Sequence, residues 1–312
     1  MPISNHDPQR AAPDISVRRT ELVCPASSIK MMAKAAAEPA DEVIFDLEDG
    51  CAVSQKAAAR KTLIEALQSL DFLGKIRAFR PNGIHTRFCY RDVIEVVEAA
   101  GPQIDVVVIP KISEAADVVF FDRLLTQIER NIGLAPGRIK LEAMIETAQG
   151  VLHAEQIAGA SSRLAALIFG SADYGGDIGA RASVREQFTV YHYARAKIVA
   201  AARAAGIQAI DGVTVQFRDL EQCQSDARSA AAMGFDGKWA IHPGQVETIN
   251  RVFTPGAEEI ARAGEILELY RRADHETGTG AIVYNDEMVD EASLHAERRT
   301  LAIATKLGLV KS

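Results

Sequence analysis

The sequence predicts a (β/α)₈ barrel, on three observations. Eight short apolar runs recur along the chain, and the stretches between them carry apolar residues at three- and four-residue spacing. The runs are near-continuously apolar rather than alternating, which suits parallel strands covered by helices. Ionisable residues also stand at or just after the C-terminal ends of these runs: Asp46, Glu48, Arg80, Lys111, Glu146, Asp173, Asp211 and His242. A doubly wound open sheet shares the periodicity. It would gather such residues at one switch point and open with G-x-G-x-x-G after the first strand, and that turn is missing here. In a barrel all strand ends meet on one face, where active sites are built.

The expected strands, in order, are 20–25 (TELVCP), 42–48 (EVIFDLE), 75–80 (KIRAFR), 105–111 (DVVVIPK), 140–146 (KLEAMIE), 165–170 (AALIFG), 208–213 (QAIDGV) and 238–243 (KWAIHP). Intervening segments such as SQKAAARKTLIEALQSL read as amphipathic helices. A helix over 255–273 closes the barrel, a Gly-rich and β-favouring stretch follows over 276–293, and a last helix spans 291–307. The division expected is a polar arm over 1–16, a catalytic barrel over 17–275, and a C-terminal extension over 276–312. That extension is surplus to a barrel, so it should lie across a neighbouring subunit or act as a lid.

With 312 residues and 48 % hydrophobic content the chain buries a full core. Its net charge of −7 argues against a nucleic-acid surface, while leaving room for small basic clusters such as Arg18-Arg19 and Lys30 with Lys34. Cys24, Cys51, Cys89 and Cys223 form no C-x-x-C pair and have no histidine at metal-finger spacing, so free thiols in a reducing cytosol are expected. No apolar run approaches the roughly 18 residues of a membrane span, and the opening residues lack the apolar segment of a secretory signal. A cytoplasmic protein without membrane contact is the expectation.

Glu146 and Asp173 belong to consecutive strands and would face each other at one rim. Two such carboxylates repel unless a cation joins them, and Mg²⁺ favours one or two carboxylates with waters and substrate oxygens completing its shell. The alternative is that each caps a helix. Arg80, ending an apolar strand, needs an anion: either a neighbouring strand's carboxylate, or a substrate oxygen on which negative charge develops. Within FGSADYGGD (169–177), Asp177 reads as a cap or ion-pair partner of the next helix. Gly170, Gly175 and Gly176 would let the backbone pass close to metal and ligand. His242 reads as a satisfied rim histidine rather than a general base.

These residues sit in ordered blocks: RRTELVCPASSIKMMAKA (18–35), VIFDLEDG (43–50), IRAFRPNG (76–83), VVIPKI (107–112), EAMIETAQG (142–150), IFGSADYGGDIGA (168–180), IQAIDGV (207–213) and MGFDGKWAIHPGQV (233–246). Through them the chain resembles the citrate lyase β-subunit and malyl-CoA lyase family of Mg²⁺-dependent barrel aldolases, from about Arg18 to the C-terminus. The resemblance implies Glu146 and Asp173 as ligands of Mg²⁺, or of Mn²⁺ in its place. It implies Arg80 as the residue polarising the keto-acid oxygen. Asp290, in MVDEAS (288–293), is implied as the proton donor reaching an adjacent subunit's site in a homotrimer or hexamer; read alone, it is an exposed helix cap. Glu48 is implied at the rim, orienting metal waters or Arg80, with a structural ion pair as the other reading. Arg19 and Lys30 resemble positions that meet coenzyme A phosphates, or are plain solvated charges. Pro25, Ala26 and Ala172 are implied as further contacts to the substrate and its coenzyme A.

The sequence departs from the family at Ala26, where glycine is usual, at Pro81, where an aliphatic residue is common, and in a short segment between Ala180 and Tyr193. The activity implied is reversible Mg²⁺-dependent cleavage of a 3-hydroxy-3-carboxyacyl-CoA (malyl-, methylmalyl- or citramalyl-CoA) into glyoxylate or pyruvate and an acyl-CoA. The alternatives are a β-like subunit that needs an acyl-carrier partner, or a malyl-CoA thioesterase.

Overall fold

A computed structural model of the chain describes residues 17–181, 190–278 and 280–310. The N-terminal arm and residues 182–189 of the short segment lie outside the described residues. Eight parallel strands close a barrel in sequential order: β1 (Thr20–Pro25), β2 (Glu42–Asp46), β3 (Ile76–Arg80), β4 (Val106–Ile109), β5 (Lys140–Ile145), β6 (Leu164–Phe169), β7 (Gln208–Asp211) and β8 (Gly237–Ala240). Each expected strand is present, and the barrel is the observed fold. Strand ends fall short of the expected ranges at Asp46, Ile109, Ile145, Asp211 and Ala240, because the chain there turns into the loops that carry the rim charges.

The helices are α1 (Ile29–Ala37), α2 (Lys56–Ser69), α3 (Cys89–Ala100), α4 (Ala115–Asn131), α5 (Ala148–Leu152), α6 (Ala154–Ala158), α7 (Ser171–Asp177), α8 (His192–Ala205), α9 (Leu220–Met233) and α10 (Val246–Phe253). Local sequence sets several of their ends. Ser28 caps α1 by accepting from the Met31 amide, Thr147 caps α5 through the Gly150 amide, and Asp219 caps α9 through the Gln222 amide.

Side chains alternate across each strand, so positions i, i+2 and i+4 face the barrel interior together. On β2 these are Glu42, Ile44 and Asp46; on β5, Glu142, Met144 and, one residue past the strand, Glu146. The interior is therefore layered. A carboxyl floor of Glu21, Glu42 and Glu142 lies at the N-terminal end, and a buried apolar layer includes Ile44, Ala78, Val108, Met144, Ile168, Ile210 and Trp239. Charged groups crown the C-terminal end. The outward faces, with Val43, Phe45, Phe79, Leu141 and Leu167, pack under the helices in one extensive core.

By its contacts the chain divides at Phe253/Thr254. Helix α11 (Ala257–Thr277), expected to close the barrel, groups with the tail. Its Ile266 is buried with Val289 of the hairpin β9 (Ala281–Tyr284)–β10 (Glu287–Asp290) and with Leu294 of α12 (Leu294–Lys306). Arg262 of α11 also pairs with Glu297 at 2.6 Å and Glu287 at 3.2 Å. All four cysteines are free and buried. Among the described residues no helix is long and apolar enough to cross a membrane.

Candidate active site

The C-terminal mouth of the barrel holds a cavity of about 390 Å³, lined among others by Pro25, Asp46, Asp49, Arg80, Met144, Glu146, Ala172, Asp173 and Trp239. Its charged centre is Arg80. Parallel register puts Asp46 beside Arg80, and Asp46 accepts from Nε at 2.8 Å and from Nη2 at 2.7 Å. This fork-to-fork pair is the strong form of the arginine–carboxylate contact. The same Asp46 oxygens accept the Glu48 and Gly50 amides at 2.8 and 2.7 Å. Burial works against the Asp46 charge, but Arg80 and the two amides outweigh it and hold the carboxyl below its ordinary range. Arg80 in turn has its pKa raised: burial alone would lower it, and Asp46 and Glu48 more than compensate.

Two of the three guanidinium nitrogens are thus committed to Asp46. The third, Nη1, stands 3.2 Å from Glu48 Oε2 and 3.6 Å from the Met144 sulfur, and the guanidinium lies 5.3 Å from the centre of the Trp239 ring. Arg80 is thus paired across the strands with Asp46, and its Nη1 edge lies beside the cavity.

Glu146, one residue beyond β5, is almost fully buried. Its Oε1 accepts the Lys111 amide at 2.7 Å. Burial, with Glu48 and Asp173 nearby, pushes its carboxyl up to about 8 against the opposing pull of Arg80. The Glu146 side chain fits because residue 170 is glycine. A Cβ there would stand 2.4 Å from Glu146 Cβ and 2.5 Å from Oε2. Gly175 instead makes way for the Tyr191 hydroxyl, and a Cβ at Gly176 would meet no atom of the described residues within 4 Å, so among the described residues Gly170 is the one of the three that closely approaches Glu146. Glu146 does not cap α5, since Thr147 does. Asp173 lies in the first turn of α7, whose N-cap is Gly170, and its carboxylate is partly exposed toward the cavity. Asp177 accepts the Ala148 amide at 2.7 Å, so it ties α7 back to the start of α5 rather than to the next helix.

Glu48 is buried between two cations, Arg80 and the Lys111 ammonium at 2.9 Å from Oε1. Burial raises its pKa, and the two cations oppose that shift. The loop that carries it is clamped from behind. The buried Lys56 ammonium donates to the carbonyls of Leu47 and Glu48, both at 2.9 Å, and to Asn82 Oδ1. Lys111 also approaches Asp49 at 3.7 Å and Asp173 at 3.8 Å. Its φ of 54° is unusual for a residue with a side chain and aims its amide at Glu146.

Glu146, Asp173, Arg80, Glu48, Pro25 and Ala172 therefore lie together at the mouth of the barrel. Ala26 is fully buried behind the rim, with its amide on the Asp46 carbonyl, and Lys30 points to solvent from the first turn of α1; neither lines the cavity. Arg19 does not line the cavity either. It precedes β1 at the opposite end of the barrel, where its guanidinium and amide grip Asp41 at 2.7–2.9 Å. Asp290 lies in the unit formed by the tail, where its Oδ1 accepts the Ser293 amide and hydroxyl at 3.1 and 3.0 Å. His242 is satisfied, accepting the Gly244 amide at 3.0 Å and lying 4.9 Å from the Phe217 ring. Sequence reasoning gave no role to Asp46 and Lys111, although both stood among the strand-end charges. Met144 and Trp239 carried no signal beyond the two-residue alternation.

The donor set suits a hard divalent cation. Glu146 and Asp173 offer only carboxylate oxygens, and a cation between them would offset the crowding that raises the Glu146 pKa.

Residues 19–243 match the HpcH/HpaI aldolase/citrate lyase family. The L-malyl-CoA/beta-methylmalyl-CoA lyase of Cereibacter sphaeroides is 41 % identical over 90 % of this chain and 93 % of its own. A (3S)-malyl-CoA thioesterase of the same species is 34 % identical over 94 % of this chain and 97 % of its own. Among solved structures, the CitE protein of Mycobacterium tuberculosis in complex with magnesium, acetoacetate and coenzyme A is 33 % identical, with a TM-score of 0.75, and covers 93 % of this chain and 98 % of its own. On the extent of the family match and the identity to these relatives, the chain belongs to the HpcH/HpaI aldolase/citrate lyase family.

Proposed function

We propose that the protein is a divalent-metal-dependent carbon–carbon lyase that reversibly cleaves a 3-hydroxy-3-carboxyacyl-CoA, with malyl-CoA and β-methylmalyl-CoA as the first substrates to test. The observation that carries this reading is one cavity lined by the carboxylates of Glu146 and Asp173 and by a guanidinium already neutralised on its far side by Asp46. Identity of 41 % to a malyl-CoA/beta-methylmalyl-CoA lyase supports the substrate class.

Glu146 and Asp173 would hold Mg²⁺, or Mn²⁺ in its place, which when bound supplies a Lewis acid for the negative charge of the keto-acid portion. Arg80 does the complementary work. In the condensation direction the acyl-CoA enolate attacks the keto carbon, and the electron pair of the carbonyl moves onto its oxygen. Nη1 of Arg80, the nitrogen that Asp46 does not take, is the donor assigned to meet that oxygen, beside its contact with Glu48. Because Asp46 fixes the other two nitrogens beforehand, little reorganisation remains at the moment of reaction. In the cleavage direction the 3-hydroxyl gives its proton to solvent, its oxygen pair forms the carbonyl of the keto acid, and the C–C pair leaves as the acyl-CoA enolate, which takes a proton at carbon.

Asp290, supplied by a neighbouring subunit of a homotrimer or hexamer, is the group we assign to that proton. Its support is the resemblance of MVDEAS to the family's C-terminal motif. Hydrogen bonds from Ser293 hold its carboxyl below the ordinary range, so it begins as the base of the condensation direction.

The test is release of glyoxylate or pyruvate from malyl-, β-methylmalyl- and citramalyl-CoA, with and without Mg²⁺. Keto acid and acyl-CoA in equal amounts, dependent on the metal, are expected. Free coenzyme A thiol without keto acid would instead identify a thioesterase.

A further inference from the structure

Trp239 on β8 is the only tryptophan of the chain, and it bridges the two ends of the barrel interior. Register places it beside Glu21 of β1, and its indole Nε1 donates to Glu21 Oε2. Both side chains are buried. The ring lies against the guanidinium of Arg80, 5.3 Å from its carbon. Asp46 and Glu48 hold Arg80 by its edges, and such contacts resist tilting of the guanidinium out of its own plane least. The indole is a wall against that motion, and a cation over a desolvated aromatic face is also attracted to it.

The wall is only as fixed as its own anchor. A buried indole N–H without an acceptor is costly, so loss of the Glu21 oxygen would drive the ring to tilt or flip in search of another. Apart from the charge of Arg18 nearby, little else about Glu21 favours a carboxyl there. Its Oε1 accepts no hydrogen bond from any described residue, and Glu42 and Glu142 crowd it, with carboxylate oxygens all within 4.8 Å. On stability alone an apolar residue would serve at least as well at this position.

We propose that Glu21 is a positioning residue for the reaction: through the indole of Trp239 it fixes the guanidinium of Arg80 at the cavity. This rests on the lyase reading for its kinetic consequence, but not for its structural one. Glu21→Gln keeps an oxygen for the indole and should retain the wild-type emission spectrum and KM for glyoxylate. Glu21→Leu removes it. The tryptophan emission should then shift to shorter wavelength and KM for glyoxylate in condensation should rise about tenfold. Trp239→Phe keeps a ring but no N–H and should show a similar loss, and the Glu21→Leu/Trp239→Phe double variant no more than Trp239→Phe alone.

Wild-type kinetics in Glu21→Leu or Trp239→Phe, or additive losses in the double variant, would overturn the proposal. Should Glu21→Leu not fold, Glu21→Met and Trp239→Phe carry the same test. The ¹⁵Nε resonance of Arg80, read on the chain without substrate, separates the two claims. It should move in Glu21→Leu and stay in Glu21→Gln. If the wild type cleaves no acyl-CoA, the lyase reading fails while this resonance still decides the role of Glu21; an unmoved resonance in Glu21→Leu refutes that role.

Discussion

At the C-terminal rim of the barrel Asp46, Glu48, Asp49, Glu146 and Asp173 gather around Arg80 and Lys111, beside an open cavity. At the N-terminal floor Glu21, Glu42 and Glu142 gather around Arg18, with no exposure at all for the three carboxyls. Carboxyls outnumber cations in both places, and burial raises pKa values in both. The difference lies in access. Charge excess at the rim can be met by a cation that enters from solvent, so it is useful for binding. Charge excess at the sealed floor is met by retained protons, so it bears on stability and on side-chain placement. Acidic clusters of similar composition therefore do unlike work according to which end of the strands they occupy, in keeping with the general division of such barrels.

Substitutions break this contrast at either end. The largest effect is expected from Arg80→Met, which removes the donor aimed at the cavity and leaves Asp46 buried without its partner. Turnover should fall about a thousandfold, read as kcat for keto-acid release. Arg80→Lys should recover little, because a lysine cannot make the two-pronged contact with Asp46.

At the floor, Arg18→Met should cost about 3–5 kcal/mol in urea unfolding, since it strands buried carboxyls that lean on its charge. Glu142→Gln should have the opposite sign. Burial holds Glu21, Glu42 and Glu142 protonated to higher pH than in the unfolded chain. Their contribution is thus complete below about pH 4 and is lost as pH rises beyond the point where the unfolded chain ionises. Replacing one by an amide removes part of that loss. The variant should be about 1–3 kcal/mol more stable than wild type at pH 8, with a flatter stability profile between pH 5 and 9.

The smallest effect expected is that of Gly170→Ala. Its methyl would stand 2.4 Å from Glu146 Cβ, so the Glu146 side chain must shift while the barrel stays folded. Affinity for Mg²⁺ should drop about tenfold by calorimetry, with little change in melting temperature.

The barrel itself was legible in the sequence because the eight apolar runs and the rim charges that follow them repeat one pattern. Arg80, Glu146 and Asp173 were legible for the same reason, each being a costly residue at a strand end. What lay hidden depended on pairing across distance. That Asp46 rather than a substrate takes two nitrogens of Arg80 follows from β2–β3 register. That Arg19 grips Asp41 at the N-terminal end of the barrel follows from its place before β1. The Glu21–Trp239 contact joins residues 218 positions apart and leaves no local trace. The partner of α11 was hidden too, because its amphipathic pattern says that the helix has a partner, not which one; the partner is the β9–β10 hairpin with α12.

The central claim is that Glu146 and Asp173 hold the metal on which cleavage depends. Calorimetric titration of Mg²⁺ into the wild-type chain and into Glu146→Gln and Asp173→Asn, each paired with the malyl-CoA cleavage assay, tests it most directly. Wild-type protein should bind Mg²⁺ and lose cleavage in excess chelator, and each variant should bind at least about a hundredfold more weakly. Undiminished Mg²⁺ affinity in both variants, or full cleavage in chelator, would contradict the account.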